Sequence, residues 1–430
     1  MAIDPDGVVR KRLHAQMLRG PGAASPEDAL RNLLAVQAQE FPYARWSLAQ
    51  RTASAQRTAS QPTQGTSQQA PRQTAQDAVR QPPTATAAQV EDAVADGRIL
   101  RTHILRPTWH FVHRDDLRWL MALSAPRLHQ GNAGMYRQTG IDAAAAARSA
   151  DVLADAVRGG QHLTREQLAA RLQDAGFAAK GVELAYLIMH AEISAVLVSG
   201  TPVRSPSGAL KQTYALFDER VPAAPEVSRA EALATLARRY FSSRGPATVK
   251  DCADWSGLTM ADVRQGVQDV LENEQDALGT HEIDGVVFYF RAGAEPGPER
   301  DAADAGRGPV HGAEPRIDLI QCYDEYVMGY SATRHYLGGS APAIPADGAL
   351  LHVVLLNGRM AGSWRHTMLP GRCELDIRLS TSAGSHAAFA GAVGNTDMEQ
   401  AVEAAVAAYG AFLGIPTVRK ESGAKLEGHI

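Results

Sequence analysis

The chain has 430 residues, 45% of them hydrophobic and 21% charged, the profile of a globular protein long enough for two to four domains. No apolar run reaches the roughly 18 residues that cross a bilayer, no apolar leader follows the start, and Cys252, Cys322 and Cys373 stand alone without CxxC spacing. Membrane spans, secretion and a disulfide framework are therefore not expected, and the net charge of −4 conceals a front, residues 1–125, with 15 Lys/Arg against 11 Asp/Glu.

In chain order, helices are expected near 7–19 and 26–37. Residues 52–87 then interrupt the pattern. They are rich in Gln, Thr, Ala, Ser and Pro, contain the near-repeat "AQRTAS", and hold too little apolar surface to offset the entropy of ordering. A disordered insertion is the reading. A helix near 87–96 and strands "ILRTHI" and "TWHFVH" follow. Next come helices at 151–158, 163–173 and 181–197, with Thr164 and Gln167 as a capping box, and strand-like pieces "VLVSGTPV" and "KQTYALFDERV".

Residues 228–290 repeat the order. Thr248 and Thr259 are candidate N-caps, and Asp284-Gly285 suits a tight hairpin turn. Three helices followed by a hairpin is the winged-helix order. The fold class is therefore α+β: three tandem winged-helix domains at 1–130, 131–222 and 223–291, a Gly/Pro/acid-rich linker at 292–315, and a C-terminal β-rich region at 316–430. In that last region Asn357-Gly358 marks a hairpin, "RIDLIQCYDEYVMGY" reads as strand, and a closing helix over roughly 397–414 ends at Gly410 and Gly414.

Gln37 is out of place in this pattern. Leu30, Leu33 and Leu34 share one helical stripe, and Gln37 is the next residue on it. A buried side-chain amide has up to four hydrogen-bonding positions to satisfy, and an unpaired one costs ~1–3 kcal/mol. If the helix ends near Gln37, with Phe41-Pro42 favouring extended backbone, Gln37 and Gln39 share a face and enter one cleft. The competing reading is that both amides cap neighbouring backbone.

Other polar clusters also admit two readings. Arg101, His103, Arg106, Trp109 and His110 lie on the first wing. There they either meet phosphates and a minor groove, or pack as a Trp under the wing with imidazoles bonded to backbone. Zinc on His103, His110 and His113 lacks a fourth ligand, so no metal is expected. Arg359 beside the Asn357-Gly358 tip, with Arg365 and His366 after it, either faces DNA or belongs to an ordinary hairpin. Asp324-Glu325 is either an active-site pair or an anchor for arginines between domains.

Four separated stretches, "VQAQEFPYARWSLAQR", "LRTHILRPTWHFV", "RYFSSRGPATVKDCADWSGL" and "YDEYVMGY", resemble in order the winged-helix DNA glycosylases related to AlkZ. The likeness runs over nearly the whole chain except 52–87 and 292–315. The resemblance implies three winged helices and a β-rich C-terminal region. It implies Gln37-Ala38-Gln39 as the catalytic Gln-apolar-Gln motif and a C-terminal hairpin, here the one with Arg359 and Arg365, directed towards DNA. With the first-wing reading above, the expected DNA contacts are Arg101, His103, Arg106, His110, Arg359 and Arg365. This sequence departs from a sister branch that has Asp at the second motif position.

The implied activity is monofunctional hydrolysis of the N-glycosidic bond of N7-alkylguanine and related cationic purines, with unhooking of interstrand crosslinks. An N7-alkylated base already carries positive charge, so neutral amides suffice to hold water and stabilise the sugar. Neutral lesions should then be poor substrates. The expected partner is double-stranded DNA containing alkylated purines, met by a monomer in the cytoplasm at the nucleoid, with no cofactor. A non-catalytic winged-helix regulator is the second reading and a protein-contact scaffold the third. The glutamine pair favours the enzyme, because a regulator has no use for two amides in a cleft.

Overall fold

The structure, a computed structural model, describes residues 4–53, 85–205, 208–274, 277–293, 315–338, 352–379 and 395–420. Most of the expected insertion and linker lie outside the described residues. The insertion's ends do not: Thr52 Oγ1 accepts from the Ala85 N–H at 3.2 Å, and Thr86 forms a capping box with Gln89. Residues 52–53 and 85–87, assigned to disorder by composition, are thus part of the first unit.

That unit comprises α1 (Pro5–Ala15), α2 (Pro26–Leu33), β1 (Ala35–Gln37), α3 (Phe41–Ala49), α4 (Ala87–Ala95), β2 (Ile99–Ile104), β3 (Arg106–His113) and α5 (Arg114–Gln138). Asp4 and Ser25 cap the first two helices, each with proline in the first turn, where its missing N–H is harmless. The helix expected over 26–37 stops at Leu33, so Gln37 sits on a strand. Pro42, read as a sign of extended chain, instead lies in the first turn of α3. The 25-residue α5 runs through the domain boundary expected at 130.

Three helices and strand pairs follow twice. The first set is α6 (Ala143–Val157), β4 (Leu163–Thr164), α7 (Arg165–Asp174), α8 (Gly181–Ile193), β5 (Leu197–Ser199), β6 (Val203–Arg204), β7 (Leu210–Lys211), β8 (Thr213–Leu216) and the short α9 (Phe217–Arg220). The second set is α10 (Arg229–Arg244), α11 (Val249–Ser256), α12 (Met260–Asn273), β9 (Leu278–Ile283) and β10 (Val286–Arg291). Capping boxes start α7 at Thr164, α10 at Ser228, α11 at Thr248 and α12 at Thr259. Asp284 and Gly285 both take positive φ, as the β9–β10 turn requires.

The C-terminal region is a five-stranded sheet in the order β11 (Ile317–Ile320), β12 (His352–Leu356), β13 (Arg359–Leu369), β14 (Arg372–Leu379) and β15 (Thr417–Arg419). Only the β14–β15 pairing is parallel. "YDEYVMGY" is not a strand; it makes a turn and the short α13 (Glu325–Met328). The closing α14 (Asn395–Leu413) ends at Gly414, at φ +69°, while Gly410 lies inside the helix.

One apolar cluster joins the parts. It runs from Val9 and Leu13 of α1 through Leu100 and Val112 to Tyr240, Trp255, Tyr326 and Leu355. Each large side chain buried this way contributes about 1.5–3 kcal/mol. The hairpin tip at Asn357-Gly358 is drawn into this cluster. A Cβ on Gly358 would stand 2.6 Å from Leu13 Cδ1, and the Gly358 carbonyl accepts from the Tyr326 hydroxyl at 2.9 Å.

Candidate active site

The site begins where α2 stops. Leu34 takes φ +66° and ψ −50°, a conformation that costs an L-residue of this size roughly 1–3 kcal/mol. Arg244, from the last turn of α10, clamps both sides of it: Nη1 donates to Leu33 O at 2.8 Å and Nη2 to Ala35 O at 3.1 Å. The chain then leaves as β1, which pairs with β3 so that Gln37 faces His110. In the sheet order β1-β3-β2, β1 is an edge. Its outer groups are satisfied by side chains rather than by another strand. Gln37 N–H donates to Glu325 Oε1 at 2.9 Å, and Gln37 O accepts from Gln321 Nε2 at 3.2 Å.

The Gln37 side chain is 3% exposed, and its Oε1 accepts from Arg106 Nη2 at 2.8 Å. Arg106 is held in turn by Trp255 O at 2.8 Å. It follows Leu105, at φ +63°, on the tip of the β2–β3 hairpin, and that tip rests on α11. A Cβ on Gly257 would lie 2.5 Å from Leu105 O, so only glycine permits the contact. The β2–β3 hairpin therefore docks on the third helical group instead of projecting free.

Burial lowers the Arg106 pKa, a shift that the nearby Glu325 carboxylate opposes. His110 is fully buried, with Nδ1 2.9 Å from Thr108 O and Nε2 3.5 Å from Arg106. A carbonyl only accepts, so Nδ1 carries the proton, and Nε2, facing the Arg106 donor, is left as the acceptor of a neutral ring. Burial, then the Arg106 charge, holds its pKa well below the ordinary value.

Gln39 is exposed, and its Oε1 accepts from Trp109 N–H at 3.3 Å. Arg101, expected to face DNA, is turned inward at 6% exposure. Its Nε donates to Ala38 O at 2.9 Å, Nη2 to Gln39 O at 3.3 Å and Nη1 to Gln212. Burial brings its pKa down to about 10. His103, also expected to face DNA, is 5% exposed and lies with Nδ1 2.6 Å from Glu192 Oε2. Two sets of groups thus adjoin along one extended segment: Gln37 with Arg106 and His110, and Gln39 with Trp109 and Arg101. Each amide oxygen receives one donor and keeps one acceptor position.

Asp324 and Glu325 act as anchors. Asp324 binds Arg51 through both oxygens at 2.6 and 2.9 Å, and Glu325 Oε2 binds Arg244 and Trp255 Nε1, each at 2.7 Å. Both ion pairs are fully buried. The expected C-terminal hairpin contact divides. Arg359 donates to Asp6 at 2.5 Å and to Tyr336 O at 3.1 Å, beside a tip buried against α1. Arg365 is half-buried, and its guanidinium makes no hydrogen bond among the described residues. His366 stacks on Tyr43 and lies 2.6 Å from the Tyr409 hydroxyl, and burial lowers its pKa to about 4.

Arg244, Gln321, Trp255 and Arg51 escaped the sequence reading as site residues. Arg51, Arg244 and Trp255 had no signal beyond membership of motifs noted for resemblance, and Gln321 stood only in a stretch read as strand. Among the described residues, no three His, Cys, Asp or Glu side chains gather to hold a metal.

No curated protein matches the sequence. The chain is similar in structure to the Streptomyces sahachiroi DNA glycosylase AlkZ, at 20% identity, with a TM-score of 0.64 over 98% of this chain and 100% of that one. The family model described as "DNA glycosylase AlkZ-like" matches residues 64–412, downstream of Gln37 and Gln39. Over most of its length, then, the chain belongs to the AlkZ-like family of DNA glycosylases.

Proposed function

We propose that this protein removes N7-alkylguanine and related cationic purines from double-stranded DNA as a monomeric, monofunctional glycosylase at the nucleoid, and that Gln37 and Gln39 orient the attacking water. The same hydrolysis on a crosslinked base unhooks one strand. The twice-repeated order of three helices and a hairpin, with a comparable first unit, supports reading the architecture as three winged helices.

The observation that carries the reading is the asymmetry between the two amides. Gln37 Oε1 is bonded by a guanidinium, which withdraws its electron density and leaves a weak acceptor. Gln39 Oε1 is bonded only by a neutral backbone N–H at a longer distance. Gln39 is therefore the better acceptor for a water proton and the better dipole toward an oxocarbenium-like sugar. Gln37 Nε2 makes no hydrogen bond among the described residues and remains a donor for the same water. Neither amide is a base, so the reaction suits a leaving group that is already cationic.

Release of 7-methylguanine from duplex DNA tests this. Gln39→Ala lowers kcat by about a hundredfold or more and Gln37→Ala by less, with DNA binding retained in both; a single preorganised dipole commonly contributes ~10²–10³. Undiminished excision by the double variant removes the mechanism. Salt-sensitive DNA binding without excision by the wild type favours a regulator. Uracil release at a comparable rate removes the restriction to cationic bases.

A further inference from the structure

We propose that Glu192, on α8 of the second helical group, is a positioning residue for Gln39, acting through His103 and Trp109. The inference rests on the catalytic reading of Gln39. Glu192 is a carboxylate with no exposure, on a helix whose neighbouring buried residues are Leu187, Ile188, Ala191 and Ile193. A charge is retained in such a setting only where specific donors meet it. Both donors near Glu192 come from the first wing: His103 Nδ1 at 2.6 Å and Trp109 Nε1 at 3.4 Å.

An ionised carboxylate only accepts, so the His103 proton sits on Nδ1 and the imidazole orientation follows. His103 and Trp109 are cross-strand partners, and their rings lie 4.5 Å apart, while the Arg101 guanidinium sits 4.4 Å from the same indole. Trp109 is also the residue whose main chain grips the catalytic segment. Its N–H donates to Gln39 Oε1 at 3.3 Å, and its carbonyl accepts from Ala38 N–H at 2.7 Å. Ser199 and Gln212 of the second group add acceptors for Arg101 N–H and Nη1, and Arg101 holds the Ala38 and Gln39 carbonyls. Side chains of the second group thus set where the Gln39 amide points.

The test is Glu192→Gln, alone and with Gln39→Ala, using duplex DNA carrying 7-methylguanine, with thermal melting as the check on folding. The expected result is a ten- to hundredfold lower kcat with KM and DNA binding unchanged, because displacement of a reacting group by about an ångström costs on that order. In the Gln39→Ala background the same change lowers kcat less than twofold, because the group it positions is gone. An equal loss in both backgrounds, or a kcat within twofold of wild type, overturns the proposal. If Glu192→Gln does not fold, Trp109→Phe removes the indole N–H along with part of the ring, leaves the main-chain bonds to Ala38 and Gln39 in place, and serves in the same cycle. A three- to tenfold loss confined to the Gln39 background supports coupling, and none overturns it. Full activity of Gln39→Ala by itself would instead remove the catalytic reading of Gln39.

Discussion

Glu325 accepts the main-chain N–H of Gln37 at 2.9 Å across 288 residues of sequence, and its other oxygen binds Arg244. One carboxylate thereby fixes both the strand that carries the candidate catalytic amide and the arginine that holds the strand's strained entry at Leu34. Glu325→Ala leaves the fully buried Arg244 guanidinium without its counter-charge. Breaking a buried pair from one side costs about 3–5 kcal/mol, and the urea midpoint of the variant should fall accordingly. A midpoint equal to that of wild type would show that the pair contributes nothing.

Arg106 joins Gln37 Oε1 to Trp255 O with two nitrogens of one planar fork. Lysine keeps the charge but loses that geometry. Arg106→Lys gives up at least one bond worth about 1.5–3 kcal/mol, so kcat on 7-methylguanine DNA should drop by about ten- to a hundredfold. Single-turnover kinetics reads the chemical step directly, and an unchanged rate would exclude Arg106 from orienting Gln37.

The two C-terminal arginines should behave differently. The Arg365 guanidinium has no hydrogen bond among the described residues and is the better candidate for a phosphate. Arg365→Ala should weaken DNA binding uniformly across sequences and reduce the salt slope by about one. Arg359 is tied to Asp6 and Tyr336. Arg359→Ala should lower the melting temperature and leave the salt slope as it is. Titrations of both variants at several salt concentrations separate the two roles.

Stability should depend on pH through buried histidines. Burial lowers His352 to about 3 and His366 to about 4, from an ordinary 6.5. Between those values the unfolded chain binds protons that the folded chain refuses, so stability rises with pH across that window and is lost as pH falls from about 6.5. Glu40, raised by burial, acts in the opposite sense just above the ordinary carboxylate range. Urea midpoints from pH 7 to 4 should fall in the wild type and fall less in His366→Phe. Equal slopes would mean that His366 does not titrate differently on folding.

Features written within a few residues could be read from the sequence. The capping boxes at Thr164, Thr248 and Thr259 and the turns at Asp284-Gly285 and Asn357-Gly358 join groups at most a few positions apart, so residue identity is enough to place them. Gln37 was noticeable for a related reason, being polar where a local pattern called for an apolar residue, and Gln39 for its spacing of two from Gln37.

Only the tertiary structure decided that Gln37 lies on an edge strand, that Arg101 and His103 turn inward, and that Arg244 with Glu325 and Arg51 with Asp324 brace the site. A buried charge or an uncovered strand edge must find partners, but its own sequence neighbourhood does not say which ones. Those partners arrive from 81 residues away for Arg244 and 273 for Arg51, and the packing of the shared core selects them.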